Sequence, residues 1–135
     1  MSLGKQAALY AITLVVFLGI DTVWLLTMSD RFYKKNLGHL MRESPDLLVA
    51  LAFYLLYVLV ALVIVVTPAV EKGSLLQAVG FGALLGLAAY GTYDITNLST
   101  LRDWPVVVTV VDLIWGGTLT GVVSGAGYLV ANWLK

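Results

Sequence analysis

Four long apolar stretches separated by short polar ones set the pattern of this chain: Gln6–Met28, Leu47–Val66, Leu75–Leu98 and Pro105–Trp133. A bilayer core about 30 Å thick is crossed by roughly 20 helical residues at about 1.5 Å each, a length every stretch reaches. Backbone N–H and C=O groups in hydrocarbon find partners only inside their own segment, so runs this long predict helices and not strands. The expectation is an all-α integral membrane four-helix bundle, a single transmembrane domain over residues 1–135. Pro68 is expected to close the second span and Pro105 to open the fourth, because a missing N–H costs least at a helix end. Lys5 before an apolar run suggests a signal peptide. The run is too long for one, lacks a small-residue cleavage site and contains Asp21, so it reads as a retained helix.

Between the first two spans, Asp30 to Arg42 mixes basic residues with Phe32, Tyr33, Leu37, Leu40 and Met41 at near-helical spacing. That pattern predicts an interfacial helix lying among the lipid headgroups. Four spans place both termini on one side and the residue 29–46 and Ser99–Trp104 connections on the other, the loop side. The loop side holds Arg31, Lys34, Lys35, Arg42 and Arg102, against Lys5, Lys72 and Lys135 on the termini side. The positive-inside rule then puts the loop side in the cytoplasm of a bacterial inner membrane and the termini outside it.

Composition narrows the chemistry. Hydrophobic residues make up 60% of the chain and charged ones 12%, which fits the lipid bilayer as the main partner. Eight basic residues balance eight acidic ones, so the electrostatic footprint of a nucleic-acid binder is missing. With no cysteine there are no disulfides, thiolate metal sites or cysteine nucleophile. No nucleotide or haem motif is present, and the only histidine, His39, falls in a loop, where a solvated role is expected.

Three carboxylates interrupt the spans: Asp21, Asp94 and Asp112. An Asp at a helix centre costs roughly 2.5–3.5 kcal/mol on insertion scales, so such residues face the bundle interior and mark sites. Asp21 and Asp112 each lie about 10 Å from the loop-side end of the predicted span, and Asp94 about one turn from its own. Three helices thus bring acids to the same half of the membrane, which points to one shared site. Trp24, Tyr54, Tyr57, Tyr90, Tyr93, Asn97 and Trp115 gather at that level. At 100° per residue, Tyr90 and Asn97 share a face with Asp94. The blander reading is that each acid fixes helix register through a hydrogen bond. Trp104, Trp133 and Tyr10 read as interfacial belt residues. Gly117, Gly121 and Gly125, on the face opposite Asp112, and Gly82 with Gly86, form small-residue stripes for close helix packing, on a neighbouring helix or in a homodimer.

Gly19-Ile20-Asp21-Thr22-Val23-Trp24, Gly38-His39-Leu40, Tyr93-Asp94-Ile95-Thr96-Asn97-Leu98 with Arg102-Asp103-Trp104-Pro105, and Val111-Asp112-Leu113-Ile114-Trp115-Gly116 resemble the bacterial membrane family catalogued as domain of unknown function 2177. The likeness spans nearly the whole chain. It implies four membrane helices and no established reaction.

Three functions fit these residues. The first is proton-coupled binding or transport of a cation or amphiphilic small molecule, with the aspartates exchanging a proton for the ligand and the aromatic rings offering cation–π faces. The second is an intramembrane or lipid-directed enzyme with paired aspartates as acid and base, or with a divalent cation. Asp21, Asp94, Asp112 and Asn97 are hard oxygen ligands suited to Mg²⁺ or Ca²⁺. The third is a noncatalytic subunit or assembly factor whose glycine faces dock a larger membrane partner.

Overall fold

A computed structural model describes all residues from Met1 to Lys135. Four helices make up the fold: α1 (Leu3–Leu37), α2 (Leu47–Lys72), α3 (Leu75–Thr100) and α4 (Val106–Leu134). All four are long and apolar enough to cross a membrane. Three begin at the polar caps their sequence offers. Ser2 accepts from the Lys5 N–H, Asp46 from that of Val49 and Ser74 from that of Gln77, each satisfying an orphan first-turn donor. Between α2 and α3 only Gly73 and Ser74 intervene. Gly73 takes φ +66°, a left-handed conformation that glycine adopts without a Cβ clash, and the Ser74 N–H closes back on the Ala69 carbonyl.

Two helices outrun the apolar pattern, each through a π turn. In α2, Ala61–Val66 is π-helical and the chain continues past Pro68 to Lys72, so Pro68 does not end the span as expected. A π turn pairs a carbonyl with the donor five residues on, which relieves the demand that residue 68 supply an N–H. The Leu62 carbonyl shows this, accepting from both the backbone N–H and the hydroxyl of Thr67. In α1, Ser29–Tyr33 is π-helical, and the Lys34 N–H bonds the Ser29 carbonyl. The Asp30–Arg42 segment is therefore helical as far as Leu37 and continuous with α1, instead of forming a separate helix.

The closest helix pair is α3 with α4. A Cβ on Gly86 would collide with the Gly116 backbone carbonyl, and one on Gly82 would stand 2.5 Å from the Ser124 hydroxyl oxygen. Across the seam, a Cβ on Gly121 would lie 3.2 Å from the Val79 carbonyl, one on Gly125 3.0 Å from the Val79 side chain, and one on Gly117 3.3 Å from Leu87. The glycine stripes are thus taken up within the chain, where they let two backbones approach.

Leu9, Phe17, Val58, Leu62, Val66, Leu119 and Val123 belong to the core, which fills the middle and the termini-side half of the bundle. Tyr57 bonds Thr120 at 2.7 Å and packs on Phe17, tying α2 to α4 and α1. Beyond this level the bundle opens. Leu47–Val60 of α2 packs on α1, whereas the main backbone approach of α2 to α3 is made by Ala61–Lys72. Outward faces carry exposed Leu26, Leu48, Leu76 and Leu84, an apolar surface suited to lipid.

Candidate functional site

The opening encloses a cavity of about 1400 Å³. Eight of the ten residues expected to bind substrate or ion line it: Asp21 and Trp24 from α1, Tyr54 from α2, Tyr90, Tyr93 and Asp94 from α3, and Asp112 and Trp115 from α4. Tyr57 and Asn97 do not. Tyr57 is spent on the bond to Thr120 at the closed end, and Asn97, one turn beyond Asp94, lies outside the cavity wall. At its loop-side mouth the wall includes Lys34, Arg42, Glu43 and Asp46.

A hydrogen-bonded and stacked path connects the acids. Trp115 donates from Nε1 to Asp21 at 3.3 Å, and its ring stacks on Trp24 with centroids 4.1 Å apart and planes 7° from parallel. Trp24 donates from Nε1 to the Tyr33 hydroxyl at 3.1 Å, and Tyr33 donates to Asp112 Oδ1 at 2.5 Å. Asp112 is the neighbouring acid of Asp94. Asp94 is 0% exposed, and neither of its carboxyl oxygens meets a donor. Two carboxylates bond each other only with a proton between them, since the ionised group is an acceptor alone.

The α1 π turn builds this path. On an ideal α-helix Tyr33 would stand about 180° around the axis from Trp24; one extra residue in a π turn cuts the difference to about 80°. The same shift brings Tyr33 to within about 20° of Asp21, where uninterrupted α-helix would leave about 120°. Neither the turn nor the role of Tyr33 is visible in the apolar pattern, because Tyr33 sits in the stretch that reads as interfacial.

A second network fixes Asp94 against α4. The Thr109 hydroxyl donates to the Asp94 backbone carbonyl at 3.2 Å and accepts from Trp104 Nε1 at 3.0 Å. Trp104 is buried and meets Tyr93 edge to face at 5.7 Å. The expectation of a belt residue is therefore corrected: its ring is buried against the protein and its indole N–H is spent on Thr109. Trp133 does face outward, and Tyr10 donates to the Leu55 carbonyl at 2.8 Å, joining α1 to α2.

The three acids, Asp21, Asp94 and Asp112, do not form one cluster. No three acidic or histidine side chains converge closely enough to hold an ion. Asp94 and Asp112 are neighbours, and Asp21 is linked to Asp112 through Trp115, Trp24 and Tyr33.

Comparison with known proteins agrees with this architecture at the level of family. The model of a family described as predicted membrane protein (DUF2177) matches residues 6–129. No curated protein and no solved structure matches the chain.

Proposed function

The chain belongs to the DUF2177 family of predicted membrane proteins, and for this member we propose a proton-coupled binding site for a cationic amphiphile, used for its transport. One observation carries the reading: Asp94, fully covered and with both carboxyl oxygens unpartnered, stands beside Asp112 on the wall of a large cavity. Leaving a buried charged acceptor unsatisfied costs about 1–3 kcal/mol or more, so the pair is expensive unless it holds a proton or a cation.

In this reading the pair holds one proton at rest, and the Tyr33 hydroxyl covers Asp112. An arriving ammonium or phosphonium head displaces Tyr33 and the proton together. Trp24, Trp115, Tyr54 and Tyr90 supply ring faces to the bound cation. Release of the proton makes binding tighter as pH rises. The excess of basic residues on the loop side supports placing the cavity mouth on the cytoplasmic face of a bacterial inner membrane.

Calorimetric titration of the protein in nanodiscs with tetraphenylphosphonium, in buffers of different protonation enthalpy, tests this. The expected result is a proton released with each cation, affinity rising with pH, and a loss of roughly tenfold or more, about 1.4 kcal/mol, in Asp94→Asn or Asp112→Asn. Undiminished binding in both variants, or binding with no proton released, would remove the proposal.

The adjacency of Asp94 and Asp112 also favours one alternative, an aspartate acid/base pair acting on a membrane-dissolved substrate. Turnover of a lipid or peptide substrate that both variants abolish, in a protein binding no cation, would select it.

A further inference from the structure

The proposed cation site leaves open how a ligand reaches it. We propose that the gap between the loop-side halves of α2 and α3 is a side entrance from the bilayer, through which a single-chain amphiphile with an ammonium head slides in, placing its head on Asp112 and its chain between the two helices. This inference rests on the cation reading and deepens it.

Three features support the route. First, α2 and α3 diverge: Ala61–Lys72 packs on α3 far more closely than Leu47–Val60 does, although both helices wall the cavity. Val49, Ala50 and Phe53 stand on one side and Ala89, Thr92 and Tyr93 on the other. Because the separation lies in the hydrophobic stretch of both helices, it faces lipid and not only the aqueous mouth. Second, the rims of the gap are open. Phe53 is 53% exposed and Tyr93 61% exposed, so neither ring closes it. Third, the walls and the inner end differ in chemistry. Apolar side chains and ring faces along the gap suit a hydrocarbon chain, while the covered, unpartnered Asp94 behind Asp112 supplies negative charge only at the inner end. An ammonium head on a single chain matches both parts. The volume of about 1400 Å³ exceeds the roughly 300–1,000 Å³ typical of drug-sized pockets, leaving room for a chain as well as a head.

The chain has no native cysteine, so a bridge across the gap can be placed cleanly. Ala50→Cys with Ala89→Cys, and separately Val49→Cys with Thr92→Cys, would be joined by reducible thiol-specific linkers of graded length in the full-length protein in vesicles. The rates at which dodecyltrimethylammonium and tetramethylammonium bind would be followed by proton release. Bridging should slow the long-chain probe roughly tenfold or more, reductant should restore it, and the short probe, entering by the mouth, should be unaffected. If bridging slows neither probe, or slows both alike, the side entrance is wrong while the cation site stands. If neither probe binds the unbridged protein, the cation site itself falls, and the entrance with it.

Discussion

Helix α3 meets α4 through glycines and faces α2 across a gap, and the two interfaces follow from side-chain size. Along the first, Gly82 and Gly86 bring its backbone against Thr120 and Gly116. Along the second, Ala89, Tyr90, Thr92 and Tyr93 line open space opposite Phe53 and Tyr54. In a membrane, no hydrophobic force drives helices together, so backbone proximity and hydrogen bonds decide which faces close. The closed seam is the scaffold, and the open face keeps buried acids and rings whose bonding groups are not all spent on packing.

That contrast is most open to breakage at the seam. Gly86→Leu should destabilise the fold by about 3 kcal/mol or more, because the added side chain meets the Gly116 backbone, which has no rotamer to yield. Gly80→Ala, whose Cβ meets nothing within 4 Å, should change stability by no more than about 0.5 kcal/mol. Unfolding followed in detergent or mixed micelles separates the two, and equal losses would mean the seam is not what holds the fold.

Smaller losses should mark the bonds that close the two ends of the cavity. Trp104→Phe leaves the Thr109 hydroxyl without its indole donor, and Tyr57→Phe breaks the link to Thr120. Each should cost about 0.6 kcal/mol and no more than about 1.7 kcal/mol, the average and the maximum for side-chain hydrogen bonds in a helical membrane protein. Trp104→Phe should in addition weaken cation binding, since Thr109 positions Asp94, whereas Tyr57→Phe should leave binding intact; matched binding losses would erase the distinction. Tyr33→Phe removes the donor that a cation must displace and should tighten cation binding by roughly fivefold, equivalent to about 1 kcal/mol in one hydrogen bond. Weaker binding would make Tyr33 a ligand-holding group instead. Asp94→Asn should change stability as little as Gly80→Ala, within about 0.5 kcal/mol, because no donor is lost from its carboxyl oxygens. A large drop in unfolding temperature would show that Asp94 serves the fold.

Much of this was legible in residue order, but unevenly. Run length and the cost of unpaired backbone in lipid predicted four helices, and the depth of Asp21, Asp94 and Asp112 predicted their placement on one side of the bundle. Residue spacing could not foresee the π turns, because the helix widens there and the 100° count fails. Tyr33 was hidden for that reason, and Pro68 misled for the same one. Depth along a helix also says nothing of sideways placement, so three acids at one level did not reveal that two are neighbours and the third is linked to them through Trp115, Trp24 and Tyr33. Trp104 resembled a belt residue because its position near a helix end is the same whether the ring turns outward or in. Only its pairing with Thr109, set by how α4 leaves the turn, decides between them.

Infrared difference spectroscopy of the protein in lipid, with wild type compared to Asp94→Asn and Asp112→Asn, tests the central claim most directly. The account predicts a protonated carboxyl band in the wild type that disappears when tetraphenylphosphonium binds and is missing or shifted in each variant. A wild-type spectrum with no protonated carboxyl, or one whose band persists unchanged under saturating cation, would contradict it.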